Sequence, residues 1–483
     1  MGSGAMIQPL WTSADAAAAT GGTAIGDWSV SGLSIDSREI VAGDLFVALT
    51  GEARDGHAFV SDAFARGAAA AMVSHRPDGL DPAAPLLVVD DTLDGLQALA
   101  AAARARAQAQ VVAITGSVGK TSTKDMLAGM LRAQGRCHAA VRSFNNHWGV
   151  PLTLARMPAE TDFAVLEIGM NHAGEIGPLS RLAQPDVAVI TAVEAVHLEF
   201  FAGVEAIADA KAEIFEGLGA DGIAVLNTDI ALYARLDAAA GPRPRVSFGS
   251  TGDIALRAVR LSGDATVVEA RIQGQPALFK IGAIGEHFAR NACAALAAVV
   301  ALGADPARAM LALAGFQAPA GRGAREQVLL GPSGVDGRIR LIDESFNANP
   351  ASMRAAFAVL SAVEVEDGIG RVARGRRIAF LGDMLELGPS ETGLHAALAT
   401  APEINGIDIV HCCGQRMRAL HEAMEPPRRG HWFEDSRAMA ARAARLVDAG
   451  DVVMVKGSKG SAMGPVLDAI RRLGDDPART EDG

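Results

Sequence analysis

The sequence predicts an α/β protein of three domains: a small N-terminal α/β domain, a central P-loop ATPase-like parallel-sheet domain and a C-terminal Rossmann-like α/β domain. Three observations predict it. Apolar strands alternate with helical stretches from Val111 onward, the pattern of a parallel sheet with helices on its faces. A second alternation starts at Ile339. Between the two, Pro319-Ala-Gly-Arg-Gly323 concentrates residues that punctuate structure and reads as a hinge. The expected boundaries are 1–107, 108–318 and 319–483.

In chain order, the first domain carries short apolar strands such as Asp44-Leu-Phe-Val-Ala-Leu49. The Ala/Arg/Gln-rich run Leu96 to Gln110 reads as a helix leading into the second domain. There Val111-Val-Ala-Ile114 is a buried parallel strand by its unbroken apolarity. Asp125 to Leu131 has helical spacing, and strands follow at Phe163–Ile168, Val187–Thr191 and Ile223–Leu226. A β-rich stretch runs from about Val246 to Ile281, and a helix from His287 to Leu302 closes the domain. The third domain has strands at Ile339–Asp343, Ile378–Leu381, Ile407–Val410 and Val452–Val455. It lacks G-x-G-x-x-G, so no dinucleotide site is indicated.

Composition narrows the function. The 483 residues are 49% hydrophobic and 21% charged, ordinary for a globular protein. With 44 basic and 56 acidic residues the net charge is −12, which disfavours a nucleic-acid surface. Cys137, Cys293, Cys412 and Cys413 form no C-x-x-C pair and read as reduced thiols of a cytoplasmic protein. The longest apolar stretch, Ala292 to Ala304, is too short to span a bilayer. No signal peptide is expected, and Met1-Gly-Ser-Gly-Ala5 reads as an addition ahead of a natural Met6.

The nine residues Thr115-Gly-Ser-Val-Gly-Lys-Thr-Ser-Thr123 carry the chemistry. Strand, glycine turn, Lys-Thr and helix make a phosphate cradle, in which backbone N–H groups and a helix N-terminus face an anion. Lys120 can reach β/γ-phosphates and the Thr121 hydroxyl can ligate Mg²⁺. Gly116 and Gly119 are three apart, so this is a shorter variant of the eight-residue P-loop. Glu167 ends a parallel strand, where Mg²⁺ is commonly held beside such a loop. Taken singly, the other polar residues are ordinary. His197 follows a strand, Lys211 is a helical lysine, Asn145 and Asn146 are loop residues, Asn291 is a helix-face amide and Arg322 a hinge cation. Glu344, Asn347 and Asn349 could cap the helix that begins near Pro350, and Lys456 and Ser458 could form a strand-ending turn.

Together these segments resemble the Mur ligase family. The resemblance rests on Thr115–Ser122, Phe144-Asn-Asn-His-Trp-Gly-Val-Pro-Leu-Thr153, Glu167-Ile-Gly-Met-Asn-His-Ala-Gly-Glu-Ile176, His197-Leu-Glu199 and Ala210-Lys-Ala-Glu-Ile-Phe215. It continues in Gly285-Glu-His287 with Asn291, Asp343-Glu-Ser-Phe-Asn-Ala-Asn-Pro350, Leu381-Gly-Asp-Met-Leu-Glu-Leu-Gly388 and Val455-Lys-Gly-Ser458. They stand in family order over nearly the whole chain. The Asn-Ala-Asn-Pro and Asp-Met-Leu-Glu-Leu-Gly segments point to the member that joins D-alanyl-D-alanine to UDP-N-acetylmuramoyl-tripeptide with ATP.

The resemblance implies that Gly116, Ser117, Gly119, Lys120, Thr121 and Ser122 hold ATP phosphates. It implies one Mg²⁺ on Thr121 and Glu167, and a second around His197 and a carbamylated Lys211. Lys120, Lys211 and His197 are thereby the expected catalytic set. Asn291 looks like the adenine reader, with Arg322, Asp343 and Glu344 on the C-terminal side of the nucleotide. Ser37, Arg38, Asp55, Gly56 and His57 match the region for the UDP-sugar. Asn145, Asn146, Asn347, Lys456 and Ser458 are expected at the other substrates. Two residues depart from the family: Phe288 stands where Asn is frequent and Phe346 where Tyr is common. A cytoplasmic monomer without nucleic-acid or membrane partners is expected. Two rival classes are a ligase of folylpolyglutamate synthase type, which usually begins near the P-loop, and a non-catalytic nucleotide switch, which needs no second metal site.

Overall fold

A computed structural model describes residues 9–51, 54–195, 199–331, 334–371 and 373–474. Met1–Ala5 and His197 lie outside the described residues. Three sheets of five or more strands follow one another along the chain.

The first is five-stranded, in the order Thr23–Ile25, Leu86–Val88, Ala70–Val73, Asp44–Val47, Gly32–Ser34. Only its first strand is antiparallel. Helix Thr92–Arg106 leads out of this unit. It starts four residues before the sequence-predicted Leu96, because the Asp91 side chain accepts from the N–H groups of Leu93 and Asp94 and caps it. It also ends four residues before the predicted Gln110. The Arg106 guanidinium lies 3.9 Å over the Trp11 ring, and Gln110 already belongs to the next strand.

The central sheet has nine strands. Six run parallel from edge to interior in the order Cys137–Ala139, Phe163–Glu167, Gln110–Thr115, Val187–Ile190, Ile223–Asn227, Arg245–Gly249. Strand Ile254–Ser262 continues parallel, and Ala265–Ile272 and Gln275–Ile281 extend the sheet as an antiparallel meander. The difference is readable in side chains. Val111–Thr115 are all buried, as a strand covered on both faces requires, whereas Ala265–Ile272 alternates in burial along its second half. Helix Glu286–Ala301 is buried along Ala292–Val299 because it packs between helix Lys120–Arg132 and the sheet.

The C-terminal sheet has the order Ala324–Leu329, Arg338–Glu344, Val452–Lys456, Arg377–Gly382, Ile409–Cys413, Arg429–Phe433, parallel except for its first pair. Its two edge strands, Ala-Arg-Glu-Gln-Val-Leu and Arg-Gly-His-Trp-Phe, are absent from the sequence reading. Neither is an unbroken apolar run, since an edge strand leaves part of its surface in water. The Asn349 side chain accepts from Ser352 N–H and caps helix Pro350–Ala362, as expected.

Candidate active site

In the central sheet, strand Gln110–Thr115 is the earliest in the chain and lies in the interior. The next two strands pair on one side of it and later ones on the other. Ligands of open α/β sheets bind at the carboxyl end of such a switch point. The glycine turn leaves that end. Gly116 has φ +151 and a Cβ there would lie 2.0 Å from Thr191 Oγ1. Gly119 has φ +84 and a Cβ would lie 2.4 Å from Asn291 Oδ1. Each glycine is thus required by backbone angle and by close neighbours. The turn is held from beside it: Ser117 N–H donates to Ala192 O (2.8 Å), and Thr191 Oγ1 donates to Val118 O (2.6 Å).

Helix Lys120–Arg132 begins directly after, with no side chain capping its first turn, so its N-terminal N–H groups are available to an anion. Lys120 Nζ donates to Gly116 O at 2.7 Å. Burial, and the Arg322 cation, lower its pKa against the opposing pull of Glu167.

A hydrogen-bond relay crosses the floor of the site. Thr121 Oγ1 donates to Glu167 Oε2 (2.8 Å), and Asn145 Nδ2 donates to Glu167 Oε1 (2.7 Å). Thr121 spends its single hydroxyl hydrogen on the carboxylate, so in its 3.1 Å bond with Ser143 the serine must donate. Ser143 then accepts from Arg322 Nη2 at 3.2 Å. The Arg322 guanidinium lies 4.0 Å over the Phe346 ring. The ring face, not a phenol hydroxyl, makes that contact, so phenylalanine suffices where the family commonly has tyrosine. Phe288, the other departure, is buried in the core 5.6 Å from Phe316.

On the C-terminal side, Glu344 and Lys456 are register partners on adjacent parallel strands. Lys456 Nζ donates to Glu344 Oε2 (3.1 Å) and to Asn347 O (2.9 Å). Ser458 Oγ donates to Ala348 O at 3.2 Å. Asp343 faces the hinge, accepting from Gly321 N–H at 3.0 Å and from the Ser345 hydroxyl at 2.7 Å.

A cavity of about 400 Å³ lies between the central and C-terminal sheets. Of the sequence-predicted residues, Ser117, Gly119, Lys120, Ser122, Asn145 and Asn146 line it from the loops of the central sheet. Glu167, Asn291, Arg322, Glu344, Asn347 and Lys456 complete the set. Gly116, Thr121, Asp343 and Ser458 lie behind this lining. Lys211 is buried on helix Val204–Ala212. Burial and the nearby Lys120 charge push its pKa well below the ordinary lysine value. Ser143, Glu194, His287, Arg290 and Phe346 are additions. Ser143 had no spacing signal, because only folding brings it beside Thr121; Glu194, His287, Arg290 and Phe346 line the cavity.

The N-terminal candidates line no part of this cavity. Ser37 is buried, and exposed Arg38 pairs with Asp36 through Nη2–Oδ2 at 2.6 Å. His57 Nε2 accepts from Ser74 N–H (2.9 Å), so Nδ1 carries the proton and donates to Asp55 Oδ1 (2.6 Å). Asp55, His57 and His75 are close enough to suggest a metal cluster, but both His57 nitrogens are already engaged. A Cβ on Gly56 would lie 2.7 Å from Ala48 C, so the backbone passes close there. Glu39, beside these residues, pairs with Arg142 at 2.5 Å and so touches the loop that carries Ser143.

Comparison with known proteins places this geometry. Residues 29–110 match the Mur ligase family catalytic domain, 114–299 the Mur ligase middle domain, and 330–459 the Mur ligase glutamate ligase domain. UDP-N-acetylmuramoyl-tripeptide–D-alanyl-D-alanine ligase of Bacillus subtilis is 34% identical over 91% of this chain and 92% of its own length. The Escherichia coli enzyme of that name is 34% identical over 93% and 95%. Among solved structures, Acinetobacter baumannii MurF superposes with TM-score 0.80 at 30% identity, covering 97% of this chain and 100% of that one. The Thermotoga maritima MurF ligase in complex with ADP gives TM-score 0.73 at 25% identity, covering 92% and 98%. With these matches along its length, the chain belongs to the Mur ligase family.

Proposed function

We propose that this chain is the ATP-dependent ligase that joins D-alanyl-D-alanine to UDP-N-acetylmuramoyl-tripeptide, giving the pentapeptide precursor of peptidoglycan, ADP and phosphate. The observation that carries it is the cradle of Lys120, Thr121 and Glu167. It opens on a cavity shared with Arg322, Glu344 and Lys456, in a chain similar over 91–93% of its length to ligases of that name.

Residues 1–107 bind the UDP-sugar, 108–318 the ATP, and 319–483 complete the site. Gly116 to Ser122 and Asn291 hold the nucleotide, with Arg322, Asp343 and Glu344 on its far side. Ser37, Arg38, Asp55, Gly56 and His57 hold the sugar nucleotide. Asn145, Asn146, Asn347, Lys456 and Ser458 serve the peptide substrates. The paired oxygens of Thr121 and Glu167, 2.8 Å apart, suit a hard cation such as Mg²⁺. Bound there, the ion supplies charge neutralisation at the phosphate oxygens. Lys211 as an amine offers no oxygen ligand. A neutral amine adds CO₂ and releases a proton to give an anionic carbamate, so carbamylated Lys211, with His197, fits a second Mg²⁺ site. The protein acts as a cytoplasmic monomer. Among the described residues no helix is long and apolar enough to cross a membrane.

The chemistry follows from the electrophile. A carboxylate resists attack by an amine. Its oxygen first attacks the γ-phosphorus and ADP leaves, forming an acyl phosphate. The D-alanyl-D-alanine amine then attacks the acyl carbon, phosphate departs and the amine loses a proton. Lys120 neutralises charge on the transferred group, and the closed cavity keeps water from the acyl phosphate. The test is phosphate release by the purified protein with ATP and Mg²⁺. Release is expected only when UDP-tripeptide and D-alanyl-D-alanine are both present; release with ATP alone, at the same rate, would refute the ligase reading. Running the diaminopimelate and lysine forms of the tripeptide in parallel identifies the third peptide residue.

A further inference from the structure

Lys124 is fully buried, one turn into the helix that follows the phosphate cradle. A buried ammonium is costly unless its hydrogen bonds are made. Its Nζ donates to Ala140 O at 2.7 Å and pairs with Asp125 Oδ1 at 2.8 Å. Neither partner is substrate-facing, and Lys124 lines no part of the cavity. Its importance lies in what Ala140 begins.

Ala140 follows the short edge strand Cys137–Ala139 and opens the segment 140–146. Three of its next residues bond to three different parts of the molecule. Arg142 pairs with Glu39 of the N-terminal domain at 2.5 Å. Ser143 bonds Thr121 at 3.1 Å and Arg322 at 3.2 Å. Asn145 bonds Glu167 at 2.7 Å. Asp125, the second partner of Lys124, also acts on the Arg322 charge. The segment has no regular secondary structure to fix it. Its entry is pinned through one carbonyl, by one ammonium.

We infer that Lys124 is a positioning residue for the proposed ligation: it fixes the start of segment 140–146, and that segment sets the Ser143–Thr121–Glu167 relay against Arg322. The inference rests on the proposed reading of the site, in which Thr121 and Glu167 hold Mg²⁺. Lys124 touches no substrate. It acts through the placement of Ser143 and Asn145.

The test compares Lys124→Met, Ser143→Ala and the double variant in the full-length protein, with wild type alongside. Misplacement of a catalytic constellation by about 1 Å costs on the order of 100-fold in rate, so kcat of Lys124→Met should fall about that far. The Mg²⁺ concentration for half-maximal rate should rise, while KM for D-alanyl-D-alanine should stay within about twofold. Ser143→Ala should give the same signature more weakly. The double variant should be no worse than Lys124→Met, because both changes break one chain of contacts. Lys124→Arg, which keeps a buried donor and charge, should recover part of kcat. Overturning results are an unchanged kcat and Mg²⁺ requirement in Lys124→Met, or multiplicative losses in the double variant. If Lys124→Met does not fold, Lys124→Arg decides, alone and combined with Ser143→Ala: a partial loss of kcat with a raised Mg²⁺ requirement that Ser143→Ala does not multiply supports the anchor, and an unchanged kcat and Mg²⁺ requirement or a multiplicative loss removes it. A wild-type protein without ligase activity would refute the proposed function instead, so the two failures are distinct.

Discussion

Two lysines within electrostatic reach of each other set the character of the site. Lys120 bonds a backbone carbonyl of its own loop, and Lys211 is buried with that cation as its neighbour. Each would be a liability in a core without anions. In the proposed reading, phosphate oxygens answer the first, and a carbamate would give the second an anionic oxygen in place of a neutral amine. Lys120→Ala should therefore lower ligation about 100- to 1000-fold, the cost of removing one preorganised group from developing charge. Binding of UDP-tripeptide, measured by calorimetry, should be nearly unchanged, because the residues proposed to hold the sugar nucleotide are others; equal loss of both would contradict the assignment of roles. Lys211→Ala should lose at least ~100-fold in rate and regain part of it with a small carboxylic acid that fills the vacated space. Lys211→Arg should not recover, since a guanidinium is neither carbamylated nor a metal ligand. A fully active Lys211→Ala enzyme would remove this lysine from the metal site.

Among elements, the buried strand Ile409–Cys413 carries a consequence for stability. His411 lies in its middle, stacked 4.9 Å from Phe380 and 5.6 Å from His431. Its Nδ1 accepts from His431 N–H at 2.9 Å, so Nε2 holds the proton, and Nε2 is buried without a partner. Burial, with the charges of His431, Arg376 and His421, pushes its pKa down to about 3 from the usual 6.5. The unfolded chain binds the extra proton first, so the stability is whole above the unfolded pKa and is lost as pH falls from 6.5 toward 3. Between about pH 7.5 and about pH 5.5 this group alone should cost roughly 1.4 kcal/mol. Hydrogen exchange of the Ile409–Cys413 amides should speed accordingly, and His411→Phe should flatten the dependence; an equal slope in both proteins would clear His411. This feature was invisible in the sequence, where His411 is one polar residue in an apolar run. Interior strands such as Val111–Ile114 and Val452–Val455 were legible because both faces are covered. The strand Ala324–Leu329 was not, because an edge half in water has no apolar run to read. In the site, Lys120 and Thr121 were legible from local spacing. Ser143 was not, since its partner Thr121 is brought to it only by the sheet.

For the whole molecule, the proposed hinge sets how the cavity would close. Gly321 and Gly323 both have positive φ, and both bond to Asp343 of the C-terminal sheet, through Gly321 N–H to its carboxylate and Gly323 N–H to its carbonyl. Phe346 N–H in turn donates to Gly321 O. A closing swing of the C-terminal domain is therefore expected to pivot before Gly321, between helix Pro306–Leu313 and that clamp, carrying Arg322 with it. Saturating ATP and UDP-tripeptide should compact the protein in solution scattering, because shielding an acyl phosphate requires closure. An unchanged radius of gyration would mean that the site is preformed. The two large sheets also differ in the birth order of their strands. The central sheet lays down its interior strand Gln110–Thr115 first; Phe163–Glu167 then inserts between it and the edge strand Cys137–Ala139 made just before, and the strands from Val187–Ile190 onward add outward on the other side. The C-terminal sheet leaves its insertion to the end: Val452–Lys456, its last strand in the chain, inserts between Arg338–Glu344 and Arg377–Gly382. Until a ribosome has released residue 456, those two strands face each other across a gap with unpaired edges. A nascent chain waits in that state through some seventy residues of synthesis, several seconds at about 5–20 residues per second. Exposed edges of that kind invite mispairing, so this half of the protein should be where chaperones bind during translation and where premature stop codons yield aggregates.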